Sequence, residues 1–227
     1  MNNFNNIYLN KEWGNENNET LSGSGSTLDA NKYRNVFLAN FINENNIQEV
    51  FDICGDCNWQ HVFVDRVNVE NFKYFGFDVS QEALNKAKHK NKGNTLNFSD
   101  KPIDLTNHIL KCNCPSNSLI IIKEVIQHLP LEMGVKILKN IKKAGIKYIA
   151  VTNHDRIIFN VYSNNNISKP GGFYPNNMFL EPFNFINPIK DISNLIKKTP
   201  TKDIVELIQL RKKYGNLLIF NIQEQEI

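Results

Sequence analysis

Apolar residues in this chain fall into short runs, and longer stretches with a helical period separate them. Val50–Ile53 reads as a buried strand that stops at Gly55. Tyr74–Asp78 (YFGFD) reads as a second strand, followed by a helical Gln81–Lys90 with Ser80 as its N-cap. A weaker strand is expected near Thr95–Phe98. Leu119–Val125 (LIIIKEV) is apolar almost without a break, as a strand covered on both faces of a parallel sheet must be. A helix over Leu131–Ala144 and a strand over Lys147–Thr152 follow. Ahead of all these, Asp29–Asn43 places Tyr33, Phe37, Leu38 and Phe41 on one helical face. At the far end, Asp203–Leu210 and Leu217–Ile222 read as an antiparallel hairpin turning through Lys212–Asn216.

Strands alternating with helices predict an α/β fold: a Rossmann-like, doubly wound sheet of seven strands with an antiparallel hairpin at its carboxyl end. Residues 1–28 are expected to form an arm and a flexible small-residue loop, Ser22–Thr27, that closes over a ligand. Residues 29–227 are expected to form a single domain. Within it, 155–200 is an irregular excursion with five prolines and Gly171-Gly172, of a length that in compact domains belongs to lids and binding loops.

Composition narrows the class. At 41% apolar and 22% charged residues the chain reads as globular, and a net charge of +3 with scattered lysines argues against a nucleic-acid partner. The richness in Asn, Lys and Ile is what an AT-rich genome produces, as in a giant virus or some protists, and carries no fold information. No apolar run reaches membrane-spanning length, and the amino terminus lacks the pattern of a secretory signal, so no membrane partner is expected. Four cysteines without such a signal suit free thiols in a reducing, cytoplasmic compartment. The pairs Cys54/Cys57 and Cys112/Cys114 have a spacing too tight in the second pair for a four-thiolate zinc site, and no metal is expected.

The candidate chemistry gathers at strand ends, where open α/β sheets bind ligands. Val50–Trp59 (VFDICGDCNW) ends a strand in the turn Cys54-Gly55-Asp56. Its single glycine lets the backbone approach a ligand but cannot build the multi-glycine cradle of a dinucleotide's pyrophosphate. Asp78 lies 23 residues beyond Gly55, near the spacing at which a carboxylate meets ribose hydroxyls. Ser99 and Asp100, after the third strand, are polar groups within reach of a base ring.

The run SGSGS (Ser22–Ser26), CGDCNW, YFGFD, IIIKEVIQHLP, IKYIAVTNH, GGFYP and EPFNFINPI resembles a family of class I S-adenosylmethionine-dependent methyltransferases, from about Trp13 to the carboxyl terminus. That resemblance implies S-adenosyl-L-methionine as cofactor, with Gly55 and Asp56 at its methionine part and Asp78 on its ribose. Trp13, Ser24, Gly25 and Ser26 would close over it beside Trp59. Two positions depart from the pattern: Ser24 replaces a common proline, and Lys123-Glu124 replaces a common Arg-Asp. Methyl transfer to a hydroxyl needs a base as the proton leaves. His154 is the first candidate, with Glu124, His128 and Asp155 behind it. Phe173, Tyr174, Phe183 and Asn184 of the long loop are the expected acceptor contacts, and their aromatic rings suit a sugar or other small-molecule hydroxyl. A protein or nucleic-acid methyltransferase, or a cofactor-binding pseudoenzyme acting as a partner subunit, are the alternatives.

Overall fold

In the computed structural model, the described residues are 2–14, 19–91, 96–196, 206, 209–210, 212 and 216–227. Helix α1 (Asn2–Leu9) leads through a 3-10 turn at Ser24–Ser26 into α2 (Leu28–Glu44). The alternating core follows as β1 (Glu49–Ile53), α3 (Gln60–Val64), β2 (Lys73–Phe77), α4 (Gln81–Lys90), β3 (Asn97–Phe98), β4 (Ser118–Ile122), α5 (Leu131–Lys143) and β5 (Tyr148–Thr152). The excursion then carries α6 (Arg156–Phe159), β6 (Lys190–Asp191) and α7 (Ser193–Ile196), and β7 (Leu217–Asn221) closes the sheet.

The seven strands lie in the order β3-β2-β1-β4-β5-β7-β6. The first five run parallel, and β7 is antiparallel to both β5 and β6. Strand order reverses between β1 and β4, which makes their carboxyl ends the switch point of the sheet. Every residue of β4 and β5 is buried, because apolar clusters cover both faces. On one face Phe37, Phe41 and Phe63 pack over Val50 and Ile121; on the other, Leu138 and Ile141 pack over Ile120 and Ile149. Ser80 caps α4 as its sequence predicts, its hydroxyl accepting from the Ala83 N–H at 3.2 Å.

Two expectations need correction. The hairpin partner of β7 is β6, not Asp203–Leu210. Glu206, Gln209 and Leu210 are helical, and the rest of 203–210 lies outside the described residues, as do Thr95 and Lys213–Gly215. The polar residues Asp203, Glu206 and Gln209 recur every three positions, a helical period that a two-residue reading misses. Strand β4 stops at Ile122, because Glu124 turns the chain with φ 56. The amino-terminal arm is a helix with Ile7 and Tyr8 buried. Asn5 docks it by accepting from the Glu82 N–H at 3.2 Å, in the first turn of α4.

Candidate active site

A cleft opens at the carboxyl ends of β1, β2 and β4, lined there by Ile53, Gly55, Phe77, Asp78 and Lys123. Gly55 forms its floor with φ +55, and a Cβ there would lie 2.4 Å from Ser22 Oγ and 2.8 Å from the Tyr8 hydroxyl. Only glycine fits, because α1 and the 20–22 segment press onto the turn. Asp56 faces away from the cleft to hold that segment. It accepts from Thr20 Oγ1 (2.5 Å), the Leu21 N–H (2.9 Å), Ser22 Oγ (2.8 Å) and Lys90 Nζ (2.8 Å). Burial alone would raise its carboxyl, and these donors bring it below the usual range. Its placement is that of a strut for the closing loop rather than a ligand contact.

Asp78 ends β2 on the cleft wall. Burial pushes its carboxyl up to about 6, although the backbone N–H groups of Ser80, Gly55 and Val79 pull the other way. Hydroxyls reaching it from the cleft would help to carry its buried charge. Ser99 and Asp100 do not line the cleft: Asp100 is exposed and paired with Lys88 at 2.7 Å. Ile103–Thr106 stand there instead, pinned where the Ile103 N–H donates to the Asp78 carbonyl at 2.9 Å. Asp104 shapes that turn by accepting from the Thr106 N–H at 2.9 Å. The sequence signal for it, an acid between two apolar residues just past a strand, is weak.

Beyond β4, Lys123 and Glu124 also line the cleft. Glu124 accepts from Asn216 Nδ2 at 3.1 Å and from Gln127 Nε2, and lies 3.6 Å from Arg34 Nη2. Burial opposes its ionisation, but the charges of Lys123 and Arg34 hold it down at about 2. It is therefore a fixed anion, unsuited to take a proton near neutral pH. Lys123 is pushed down to about 7, first by burial and then by Arg34.

The two histidines differ in their tautomers. His128 Nδ1 lies 2.8 Å from the Gly172 carbonyl. A carbonyl only accepts, so Nδ1 carries the proton and Nε2 keeps its lone pair. The ring stacks on Trp13 at 4.6 Å and lines the cleft. His154 has the reverse arrangement: its Nδ1 receives the Asn176 N–H at 3.3 Å, which leaves the neutral ring's proton on Nε2. It sits off the cleft wall, packed against Phe159. Burial lowers the pKa of both. Asp155 is an N-cap, its Oδ1 accepting from the Ile158 N–H at 2.6 Å.

No family model matches this chain, and no curated protein does. Solved structures do. The magnesium protoporphyrin IX methyltransferase ChlM from Synechocystis PCC 6803, crystallised with bound SAH, is similar with a TM-score of 0.50 at 16% identity, over 70% of this chain and 73% of that one. This chain has the class I methyltransferase fold. The N-methyltransferase NodS from Bradyrhizobium japonicum WM9, in complex with S-adenosyl-l-homocysteine, is similar at 12% identity and a TM-score of 0.48, over 68% of this chain and 76% of that one.

On this methyltransferase fold, Trp13, Ser26, Cys54, Gly55, Trp59 and Asp78 share the cleft; Gly25 meets its wall through a carbonyl that accepts from Lys123 Nζ at 2.9 Å, and Ser24 is exposed and does not line it. The acceptor side is only partly as expected. Phe173 is 60% exposed and touches both histidine rings, at 5.6 and 6.1 Å. Tyr174 is half-buried, its N–H donating to the Gln127 carbonyl at 2.9 Å. Phe183 is fully buried with Met178 and Phe185 in the domain core beside Leu138 and Phe220, and Asn184 is an exposed turn residue with φ 50. Neither lines the cleft. Cys54 and Cys57 are buried free thiols pushed up by desolvation. Among the described residues no cluster of metal-ligating side chains forms, and no helix is long and apolar enough to cross a membrane.

Proposed function

We propose that this protein transfers the methyl group of S-adenosylmethionine to a hydroxyl of a small acceptor, a sugar being the acceptor its rim suits best. The observation that carries this reading is one cleft that joins the close-approach turn at Gly55, the buried Asp78 carboxylate and the free Nε2 lone pair of His128. Asp78 would accept from the ribose hydroxyls, and Val79, Ile103 and Leu105 would make the slot for the adenine. Bound there, the cofactor supplies an activated methyl on a sulfonium, and the protein's share is alignment and proton removal. His128 takes the acceptor's proton on Nε2 while Gly172 holds the ring by Nδ1. Phe173 offers an exposed ring beside that nitrogen, a surface suited to a sugar's C–H face.

Titration calorimetry with S-adenosylmethionine, S-adenosylhomocysteine and NAD tests the cofactor. Both methionine derivatives should bind with one site and NAD should not; silence from both would end the proposal. Radiolabelled methyl transfer onto a panel of free sugars, glycans, peptides and RNA then tests the acceptor class, and label on peptide or RNA alone would replace the hydroxyl reading.

A further inference from the structure

Lys123 is buried and makes no salt bridge with a described carboxylate, although the charges of Glu124 and Asp52 bear on it from farther off, and the chemistry proposed above does not use it. It is 6% exposed and lies on the cleft wall with Ser22, Ser26, Gly55, Trp59 and Gln60. The register that pairs Asp52 with Ile121 sets Lys123 beside Cys54, at the edge of the Gly55 turn. Its Nζ donates to the Gly25 carbonyl at 2.9 Å and stands 5.3 Å from the centre of the Trp59 ring. An ammonium has three hydrogens, so one is left for another acceptor.

The neighbouring acids do not supply that acceptor. No described carboxylate lies within salt-bridge distance of Lys123. Glu124 turns its charge to Arg34, Asn216 and Gln127. Asp52 gives one oxygen to Tyr74 at 2.7 Å and to Gln60 at 3.0 Å, and burial raises it to about 6. An ammonium buried with no carboxylate in contact is costly, and a ligand anion would relieve it.

We propose that Lys123 anchors the α-carboxylate of the cofactor's methionine end. This rests on the reading of the cleft as a site for S-adenosylmethionine. Asp78 on β2 and Lys123 after β4 flank Gly55 of β1, two strand spacings apart, which is about 10 Å. A ribose joined through sulfur and three carbons to a carboxylate covers that span. The same ammonium, bonded to Gly25, ties the 22–26 turn to the bound end of the ligand. Lys123 is thus a positioning residue: it sets where the sulfur lies without touching the transferred methyl.

The test uses the full chain and three ligands: S-adenosylhomocysteine, decarboxylated S-adenosylmethionine and 5′-methylthioadenosine, the last two lacking the carboxylate. Lys123→Met should weaken S-adenosylhomocysteine about 10- to 100-fold, the range of one charge-assisted hydrogen bond. It should leave methylthioadenosine within about twofold and decarboxylated S-adenosylmethionine unchanged or tighter, since a repelling cation is gone. Lys123→Gln, which keeps a donor for Gly25 but no charge, should show the same selectivity. Unaltered affinity for S-adenosylhomocysteine, or equal loss for all three ligands, would overturn the anchor. Failure of the unaltered protein to bind any of the three would instead overturn the cofactor reading on which the anchor depends.

Discussion

Changing His128 to asparagine separates the ring's structural bond from its lone pair. An asparagine amide N–H can stand where the imidazole carries Nδ1–H, so the 2.8 Å bond to the Gly172 carbonyl has a replacement. Nothing replaces Nε2. The lost contacts are the rings of Trp13 at 4.6 Å and Phe173 at 5.6 Å, which at about 0.5–1.5 kcal/mol per aromatic pair leaves a domain of this size folded at room temperature. Loss of a general base should cost about 10²- to 10⁴-fold in kcat. The assay is methyl transfer at saturating cofactor, run against pH. Burial holds His128 below its ordinary 6.5, so wild-type kcat should rise with pH up to about 6.5 and stay level above it, and the variant should lack that limb. His154→Asn is the control. Its oxygen can still accept the Asn176 N–H, and kcat should fall less than about tenfold because this ring lies off the cleft. A His128 variant within threefold of wild type, or a hundredfold loss in the His154 variant with cofactor binding intact, would refute the assignment.

Three further outcomes follow from the same geometry. Gly55→Ala places a Cβ 2.4 Å from Ser22 Oγ at a left-handed φ, so it should lower stability by about 1–3 kcal/mol and loosen the arm, read as a lower melting temperature and faster proteolysis near residue 20. Asp78 must be ionised to accept two hydroxyls and is raised to about 6; S-adenosylhomocysteine affinity should fall as pH drops below about 6, and Asp78→Asn should bind weakly and lose that slope in calorimetry. Glu124→Gln removes the carboxylate charge facing the buried Arg34 and should cost about 3 kcal/mol in urea unfolding. The carboxyl of Glu124 is lowered from 4.5 to about 2, so its stabilisation is complete above 4.5 and is lost as pH falls toward 2; the variant should lack that acid-side loss.

How much of this was readable in advance depended on the distance over which each feature is encoded. Helix α4 with its Ser80 cap and the glycine turn after β1 are written in contiguous residues and lie where their local pattern puts them; the apolar β4 is found too, but ends at Ile122 and not at Val125. The weak points were local as well: β6 is two residues long and offers no period to detect, and the real partner of β7 was hidden inside the proline-rich excursion. The acceptor loop misled for a different reason. Phe173, Phe183 and Phe185 look alike in sequence, and only the packed loop decides that the last two are core and the first is rim.

Catalytic roles were the least legible, because they are set by contacts between residues far apart in the chain. Glu124 looks like a base until Arg34, 90 positions earlier, and Asn216, 92 positions later, converge on it and fix its charge. In the proposed mechanism the order of the two histidines inverts for a similar reason. His154 stands at a strand end, the favoured place for chemistry, yet a backbone N–H from the long loop occupies the very nitrogen whose lone pair would do the work. At His128 the same loop presents a carbonyl instead of an N–H, and the lone pair is left at the cleft. One loop thus sets the tautomer of both rings through Gly172 and Asn176, four residues apart. On the proposed mechanism the loop is therefore more than a cover for the acceptor. By orienting two imidazoles in opposite senses it would decide which one can act as a base, and a change in its path at Gly172 would then alter kcat without touching any ionisable residue.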